Sequence, residues 1–255
     1  MDGIIIKDDT RYQYTESYLQ SKGHVFHCPI TPPEDLDFAI FPFKANVDEF
    51  IYNDDFFAAL GKNAVVFSGL RSSYLSGKCI KYDISYLPMM EDIGTKVKNA
   101  VPTSEGVIAY LIHNLRRTIA NSRILVIGYG VCGRDLALRL TALGSNVYAL
   151  VRNREKECMA QADSVTSVFL HELAQIKFDA VINTVPQQVL TNNMLTCDTL
   201  YLEIASPPYG FNMDFAKTLN NRSALLPGIP GKYAVQTAGE TLGEYVEFVL
   251  AQEYR

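Results

Sequence analysis

The stretch Arg123-Ile124-Leu125-Val126-Ile127-Gly128-Tyr129-Gly130-Val131-Cys132-Gly133 decides the reading of this chain. The unbroken apolar run from Ile124 to Ile127 predicts a buried parallel strand. A glycine turn follows at once, and behind it Cys132, Leu136, Leu140 and Leu143 recur at helical spacing. Strand, glycine turn and helix in that order give the G-x-G-x-x-G pattern its physical context. Gly128 permits a tight turn, Gly130 leaves the backbone open to a pyrophosphate, and Gly133 lets the helix lie close to the strand. The helix N-terminus offers free N–H groups and a positive dipole end. Gly128, Tyr129, Gly130, Val131, Cys132 and Gly133 are therefore assigned to a nicotinamide dinucleotide.

The end of the following strand bears on which dinucleotide. NAD-binding domains place an acidic residue about 20 residues on, where it accepts the ribose hydroxyls. Here the strand ends Ala149-Leu150-Val151-Arg152-Asn153-Arg154, with no carboxylate before Glu155. Arg152 and Arg154 suit a 2′-phosphate, and Asn153 can hydrogen-bond it. The expectation is NADP, with NAD as the alternative.

Working outward, Gly144 suits the C′ position of the helix, and strands are expected at 146–151, 180–183 and 200–205. Asn183, Thr184, Val185 and Pro186 end one of these strands beside the turn, where they are candidates for the nicotinamide side. Ser206 and Gly228 are further candidates. After Pro227-Gly228-Ile229-Pro230-Gly231, the apolar spacing of Ala238, Leu242, Tyr245, Val246 and Val249 predicts a last helix. In the first hundred residues, strands are expected at 4–6, 24–28, 38–41, 64–67 and 79–82, and helices at 11–20 and 54–60. Pro102 and Thr103 precede a helical repeat of Val107, Ile108, Leu111, Ile112, Leu115 and Ile119, so Thr103 reads as an N-cap and Glu105 as a first-turn acid. The fold class is α/β: two doubly wound Rossmann-like domains joined by a helix, with a C-terminal helix packing back on the first. The expected divisions are 1–101, 102–120, 121–232 and 233–255.

Bulk properties narrow the function. The 255 residues are 48% apolar and 20% charged, with a net charge of −5. That balance supports a globular core and disfavours binding to nucleic-acid phosphates. Cys28, Cys79, Cys132, Cys158 and Cys197 form no C-x-x-C pair and read as reduced thiols of a cytoplasmic protein. No apolar run approaches the roughly 18 residues of a membrane span. His24, His27, His113 and His171 have no metal-ligand spacing, so no metal is expected.

The chain resembles the A-type component of the bacterial dipicolinate synthases. The resemblance rests on Val126-Ile127-Gly128-Tyr129-Gly130, Ala142-Leu143-Gly144-Ser145-Asn146-Val147, Ile182-Asn183-Thr184-Val185-Pro186 and Glu203-Ile204-Ala205-Ser206. It extends to Leu226-Pro227-Gly228-Ile229-Pro230-Gly231 with Thr237-Ala238-Gly239. In the first half it includes Asp9 and Arg11, Phe67-Ser68-Gly69-Leu70, Tyr74-Leu75 and Pro102-Thr103-Ser104-Glu105-Gly106. The chain departs from the family at Pro207-Pro208-Tyr209-Gly210 and at Ala234-Val235-Gln236. The resemblance implies oxidation of a dihydrodipicolinate-type ring to pyridine-2,6-dicarboxylate for spores, with the flavoprotein-like B-type component of the synthase as partner. The departures leave room for another small carboxylate as substrate. A protein that binds NADP without turnover is the reading from a different class.

A dicarboxylate substrate needs cations or N–H donors, and its oxidation needs a proton acceptor. Arg11, Lys44 and Arg71 follow strand ends and are the candidate cations; each can equally be a surface charge. Ser68 and Gly69 can meet an anion or form an ordinary turn. Glu105 is the candidate proton acceptor, with Ser68, Thr103 and Lys232 as other catalytic candidates.

Overall fold

Short apolar strands alternating with helices build parallel sheets, because parallel neighbours need a crossover between them. The computed structural model describes residues 1–44, 52–220 and 222–253. The chain divides into two compact units, Met1–Asn99 with Ala234–Arg255, and Ala100–Tyr233. The order begins β1 (Asp2–Ile5), α1 (Arg11–Ser21), β2 (Val25–Phe26), β3 (Leu36–Ile40), α2 (Asp54–Ala58), β4 (Leu60–Ser68), α3 (Ser73–Tyr82), β5 (Ser85–Pro88) and α4 (Ile93–Asn114). It continues with β6 (Arg123–Ile127), α5 (Val131–Ala142), β7 (Asn146–Leu150), α6 (Arg154–Ala162), β8 (Thr166–Val168), β9 (Ala180–Asn183) and β10 (Leu200–Glu203). The last elements are α7 (Met213–Leu219), β11 (Ala224–Leu225), α8 (Pro230–Tyr233) and α9 (Val235–Glu253).

In the first unit the strands lie in the order β2-β1-β3-β4-β5, every neighbour parallel. Side chains alternate between two cores, as the two-residue period of a strand requires. Ile4, Ala39, Phe41 and Val66 meet Phe56, Phe57, Leu75 and Cys79 on one face. Ile5, Phe38, Ile40 and Phe67 meet Tyr12, Leu19, Leu242 and Val246 on the other. Helix α9 thus belongs to this unit. A side-chain carbon at Gly239 would stand 2.3 Å from the Arg11 carbonyl oxygen, and Thr15 Oγ1 donates to the Gly239 carbonyl at 2.8 Å. Only a residue without a side chain lets α1 and α9 come so close.

The second unit has the order β11-β10-β9-β6-β7-β8, again parallel throughout. This is the doubly wound dinucleotide order, reversing between β6 and β9. Ile124 and Val126 pack with Val107, Leu111, Leu136 and Leu140. Leu125 and Ile127 pack with Leu173, Tyr201 and Phe211.

Three local readings are corrected. Residues 79–82 are the end of α3, not a strand. Ser72 Oγ caps that helix by accepting from Leu75 N–H, and Leu75 and Cys79, one turn apart, share its buried face while Ile80 points out. The strand is β5 instead. Helix α4 begins at Ile93, where Asp92 Oδ2 accepts from Thr95 N–H at 2.6 Å. Pro102 therefore lies inside the helix, removing one backbone donor without ending it. Thr103 is a mid-helix residue, not a cap, and the boundary between units falls within α4. Finally, Leu143 is exposed, although Leu136 and Leu140 are buried.

Candidate functional site

In the second unit the glycine turn has the geometry its sequence demands. Gly128 is left-handed, with φ +94°, and its N–H donates to the Leu150 carbonyl at 3.1 Å. A side chain there would run into Val185 Cγ1 at 2.4 Å. One at Gly133 would stand 2.2 Å from the Gly128 carbonyl oxygen. At Gly130 the added carbon would meet nothing within 4 Å. Gly130 is also the N-cap of α5 and supplies no side-chain cap. The first-turn N–H groups of Val131, Cys132 and Gly133 have no partner along the helix. An open space facing helix donors fits the pyrophosphate of a dinucleotide.

The Tyr129 side chain is committed to the protein interior. Its ring is buried, and its hydroxyl donates to Asp163 Oδ2 at 2.9 Å. Asp163 also accepts from Arg134 Nε at 2.6 Å and Nη2 at 2.8 Å. Burial, then the neighbouring Asp163 carboxylate, pushes the phenol well above its ordinary range. The group pins the turn to the end of α6. Burial likewise pushes the Cys132 thiol up, which disfavours the reactive thiolate.

At the end of β7, Val151 is buried and Arg152, Asn153 and Arg154 are exposed. Asn153 Oδ1 accepts from Lys156 N–H at 3.0 Å and caps α6. Its side chain therefore starts a helix before it can serve a phosphate. Among the described residues neither Arg152 nor Arg154 makes an ion pair, while Glu155 is held by Lys156 at 3.0 Å.

Across the strand reversal, the ends of β9 and β10 are tied together. Thr184 Oγ1 donates to the Ile127 carbonyl at 2.8 Å, seating the Asn183–Pro186 loop on the glycine turn. Asn183 is fully buried. Its amide donates to Glu203 Oε1 at 2.8 Å, to Oε2 at 2.9 Å and to the Val185 carbonyl at 2.8 Å. Val185, Pro186 and Ser206 lie on the two loops that follow, Pro186 and Ser206 exposed. Glu203, also fully buried, is absent from the sequence-derived site. Its signals were a lone acid ending the apolar run Leu200-Tyr201-Leu202 and its place in the resembling segment Glu203-Ile204-Ala205-Ser206.

Two of the segments that carry the resemblance meet each other. A carbon added at Gly106 would stand 2.2 Å from Ile229 Cγ2 and 2.8 Å from the Tyr233 ring. Pro-Thr-Ser-Glu-Gly and Pro-Gly-Ile-Pro-Gly are thus partners in a close helix–loop contact. Gly228 is left-handed, with φ +63°, and open. Lys232 is exposed on α8, and Glu105 is exposed on α4, 3.9 Å from Arg139 Nη1.

The first unit gathers several candidates around Phe43, at the carboxyl ends of β1, β3 and β4. The Arg11 guanidinium lies 3.8 Å from the Phe43 ring centroid, and a carbon at Gly69 would meet that ring at 2.1 Å. Arg11 is not the open cation expected from sequence. It is buried, and Nε and Nη2 donate to both Asp9 oxygens at 2.8 and 2.7 Å. That pairing holds the Asp9 carboxyl below its ordinary value. Ser68 is also committed: its Oγ donates to the Leu70 carbonyl and bonds the Tyr86 hydroxyl, each at 2.7 Å. Arg71 is exposed and forked onto Glu91. Lys44 is exposed beside Phe43. Among the described residues no cluster of three metal-ligating side chains occurs, and no helix is long and apolar enough to cross a membrane.

Residues 104–202 match the model of the D-isomer specific 2-hydroxyacid dehydrogenase NAD binding domain. Together with the glycine turn and the strand order, this defines a two-unit NAD(P)-dependent oxidoreductase with a nicotinamide cofactor. Over 212 residues the chain is 31% identical to the A-type component of dipicolinate synthase from Bacillus subtilis (strain 168), spanning 80% of this chain and 71% of that protein. The crystal structure of the same component from Bacillus subtilis superposes with a TM-score of 0.89, at 25% identity, over 100% of this chain and 97% of that one. Its counterpart from Bacillus halodurans gives 0.87 at 23% identity, over 98% and 97%. A transhydrogenase from Sinorhizobium meliloti shares the fold at a TM-score of 0.68 and 12% identity, over 98% and 94%. The chain belongs to the family of dipicolinate synthase A-type components.

Proposed function

We propose that the chain oxidises a dihydrodipicolinate-type ring to dipicolinate, using NADP and acting with a flavoprotein-like second component. The same reading sets it in the cytoplasm of a spore-forming cell. Its relatives' name supports the product, and their designation as one lettered component of a synthase supports a partner. One observation carries the cofactor choice: β7 ends in two exposed arginines with no carboxylate between Val151 and Glu155. A bidentate guanidinium suits a 2′-phosphate, and a missing acid removes the NAD ribose acceptor.

Bound here, the nicotinamide supplies the hydride acceptor that ring oxidation requires. The protein's own work is to hold and orient. First-turn N–H groups of α5 hold the pyrophosphate, and Arg152 and Arg154 hold the adenosine ribose phosphate. Lys44, exposed in the first unit, is assigned a substrate carboxylate, Arg11 acting instead as a strut beside Phe43. Glu105, whose carboxylate only loosely approaches Arg139, is assigned the ring proton, with Lys232 the other open group. Neither Ser68 nor Thr103 retains a catalytic assignment.

The test is to purify the chain with its candidate flavoprotein-like partner and supply the hydroxylated tetrahydrodipicolinate of the lysine pathway with NADP. Growth of the reduced-nicotinamide band together with dipicolinate in the product is expected. Saturating cofactor binding without product would overturn the substrate assignment and leave the cofactor reading standing.

A further inference from the structure

Glu203 is a buried acid at the carboxyl end of a parallel strand, beside the point where the strand order reverses. Its oxygens gather donors from two separate loops. Oε1 accepts from Asn183 Nδ2 and from Ala205 N–H, each at 2.8 Å. Oε2 accepts from Asn183 Nδ2 at 2.9 Å and from Gly210 N–H at 2.8 Å. The Gly210 carbonyl in turn accepts from Val189 and Leu190 N–H at 2.8 and 2.9 Å. One carboxylate therefore clasps the loop after β9 to the loop after β10. Gly210 has no room for a side chain: a carbon there would stand 2.3 to 2.6 Å from the Asn183 amide atoms.

A dinucleotide crosses the reversal point with its pyrophosphate at the glycine turn and one mononucleotide over each half of the sheet. With the adenosine half at the end of β7, the nicotinamide half falls over the ends of β9 and β10, on the two clasped loops. Full burial of a carboxylate opposes its charge, which burial expresses by raising the Glu203 pKa. An apolar side chain here would leave the Asn183 amide and the Ala205 and Gly210 N–H groups without their acceptor, so it is the carboxylate that joins the two loops. We propose that Glu203 is a positioning residue: through Asn183 and Gly210 it sets the two loops that hold the nicotinamide end of the cofactor. This rests on the dinucleotide reading of the site.

Glu203→Gln keeps the shape but replaces an acceptor oxygen with an NH2 facing an N–H donor. Binding of NADPH, followed by calorimetry and by reduced-nicotinamide fluorescence, is compared with binding of adenosine 2′,5′-bisphosphate, which lacks the nicotinamide half; NADH and AMP are run in parallel. The variant should weaken NADPH by about tenfold or more, reduce its fluorescence enhancement, and leave the half-cofactor within about twofold. Equal loss of both ligands, or no loss of either, overturns the proposal while sparing the cofactor assignment. Wild-type protein that binds neither NADPH nor NADH sinks the dinucleotide reading and this inference with it. If Glu203→Gln does not fold, Gly210→Ala decides, since its methyl pushes the Asn183 amide while the carboxylate stays; the same selective loss is expected, and an unselective one refutes the role.

Discussion

Two alanine substitutions three residues apart should separate ligand space from packing space in the glycine turn. At Gly130 the backbone is at φ −86° and ψ −164°, which any residue adopts, and the new methyl meets no protein atom within 4 Å. Gly130→Ala should therefore leave folding almost unchanged, within about 0.5 kcal/mol. Its methyl fills the space in which phosphate oxygens approach the helix N–H groups. Holding the pyrophosphate off by about 1.5 Å breaks charge-assisted hydrogen bonds of about 1.5–3 kcal/mol each, so Kd should rise by about 10- to 100-fold. At Gly133 the methyl stands 2.2 Å from a backbone oxygen and 3.0 Å from Thr184 Oγ1. Ordinary contact needs about 1 Å more, and neither α5 nor the turn can move that far without disturbing β6. The overpacking costs about 1–3 kcal/mol, so Gly133→Ala should lower Tm by several degrees and weaken the cofactor as well. Thermal melts and calorimetry with NADPH on both variants provide the check. A destabilised Gly130→Ala, or a Gly130→Ala that binds as wild type does, would refute the assignment of open space at residue 130 to phosphate.

Three further outcomes follow from named contacts. Replacing Arg152 and Arg154 by Ala should raise the Kd for NADPH at least about tenfold, roughly 1.4 kcal/mol, and leave NADH nearly unchanged; equal effects on both in calorimetry would remove the 2′-phosphate contact. Glu105→Gln, at an exposed position, should keep the melting temperature and reduce turnover by about 100-fold if this carboxylate takes the ring proton; retained turnover would move the role elsewhere. Asp9→Asn should destabilise the protein at neutral pH by about 1.5–3 kcal/mol, by breaking the fork onto Arg11. Because Arg11 holds the Asp9 carboxyl below its ordinary 3.8, this contribution is complete above that value and fades as pH falls through the lower folded pKa. The variant's Tm should thus converge on that of wild type in acid, and a constant gap across the pH series would contradict the argument.

What sequence alone determined is what chemistry over short spans determines. The glycine turn was legible because Gly128, Gly130 and Gly133 answer to backbone constraints within one turn and one helix start. The missing acid after Val151 was legible for the same reason. The resemblance was legible too, although two of its glycines prove to have packing roles: Gly106 against Ile229, Gly239 against the α1 backbone. Local pattern misled where two states share it. Cys79-Ile80-Lys81-Tyr82 has strand-like composition, yet its residues are the last turn of a capped helix, with Cys79 on the buried face. Pro102 and Thr103 look like a helix start, yet the helix had begun at Ile93, and a proline inside it removes one donor without ending the run.

Tertiary structure decided which polar groups are free. The resemblance picks out Arg11 and Ser68, but nothing in the sequence says that either side chain is already committed. Asp9 and Phe43 close around Arg11, and Tyr86, on the neighbouring strand, takes the Ser68 hydroxyl. Glu203 was quoted only as part of a resembling segment, and its role was hidden for the converse reason. Its partners stand at residues 183, 205 and 210, brought to one point only by parallel pairing of β9 and β10 and the return of both loops. A hydrogen bond has a range of about 3 Å in space and none in sequence, so the fold had to be built before that carboxylate had a meaning.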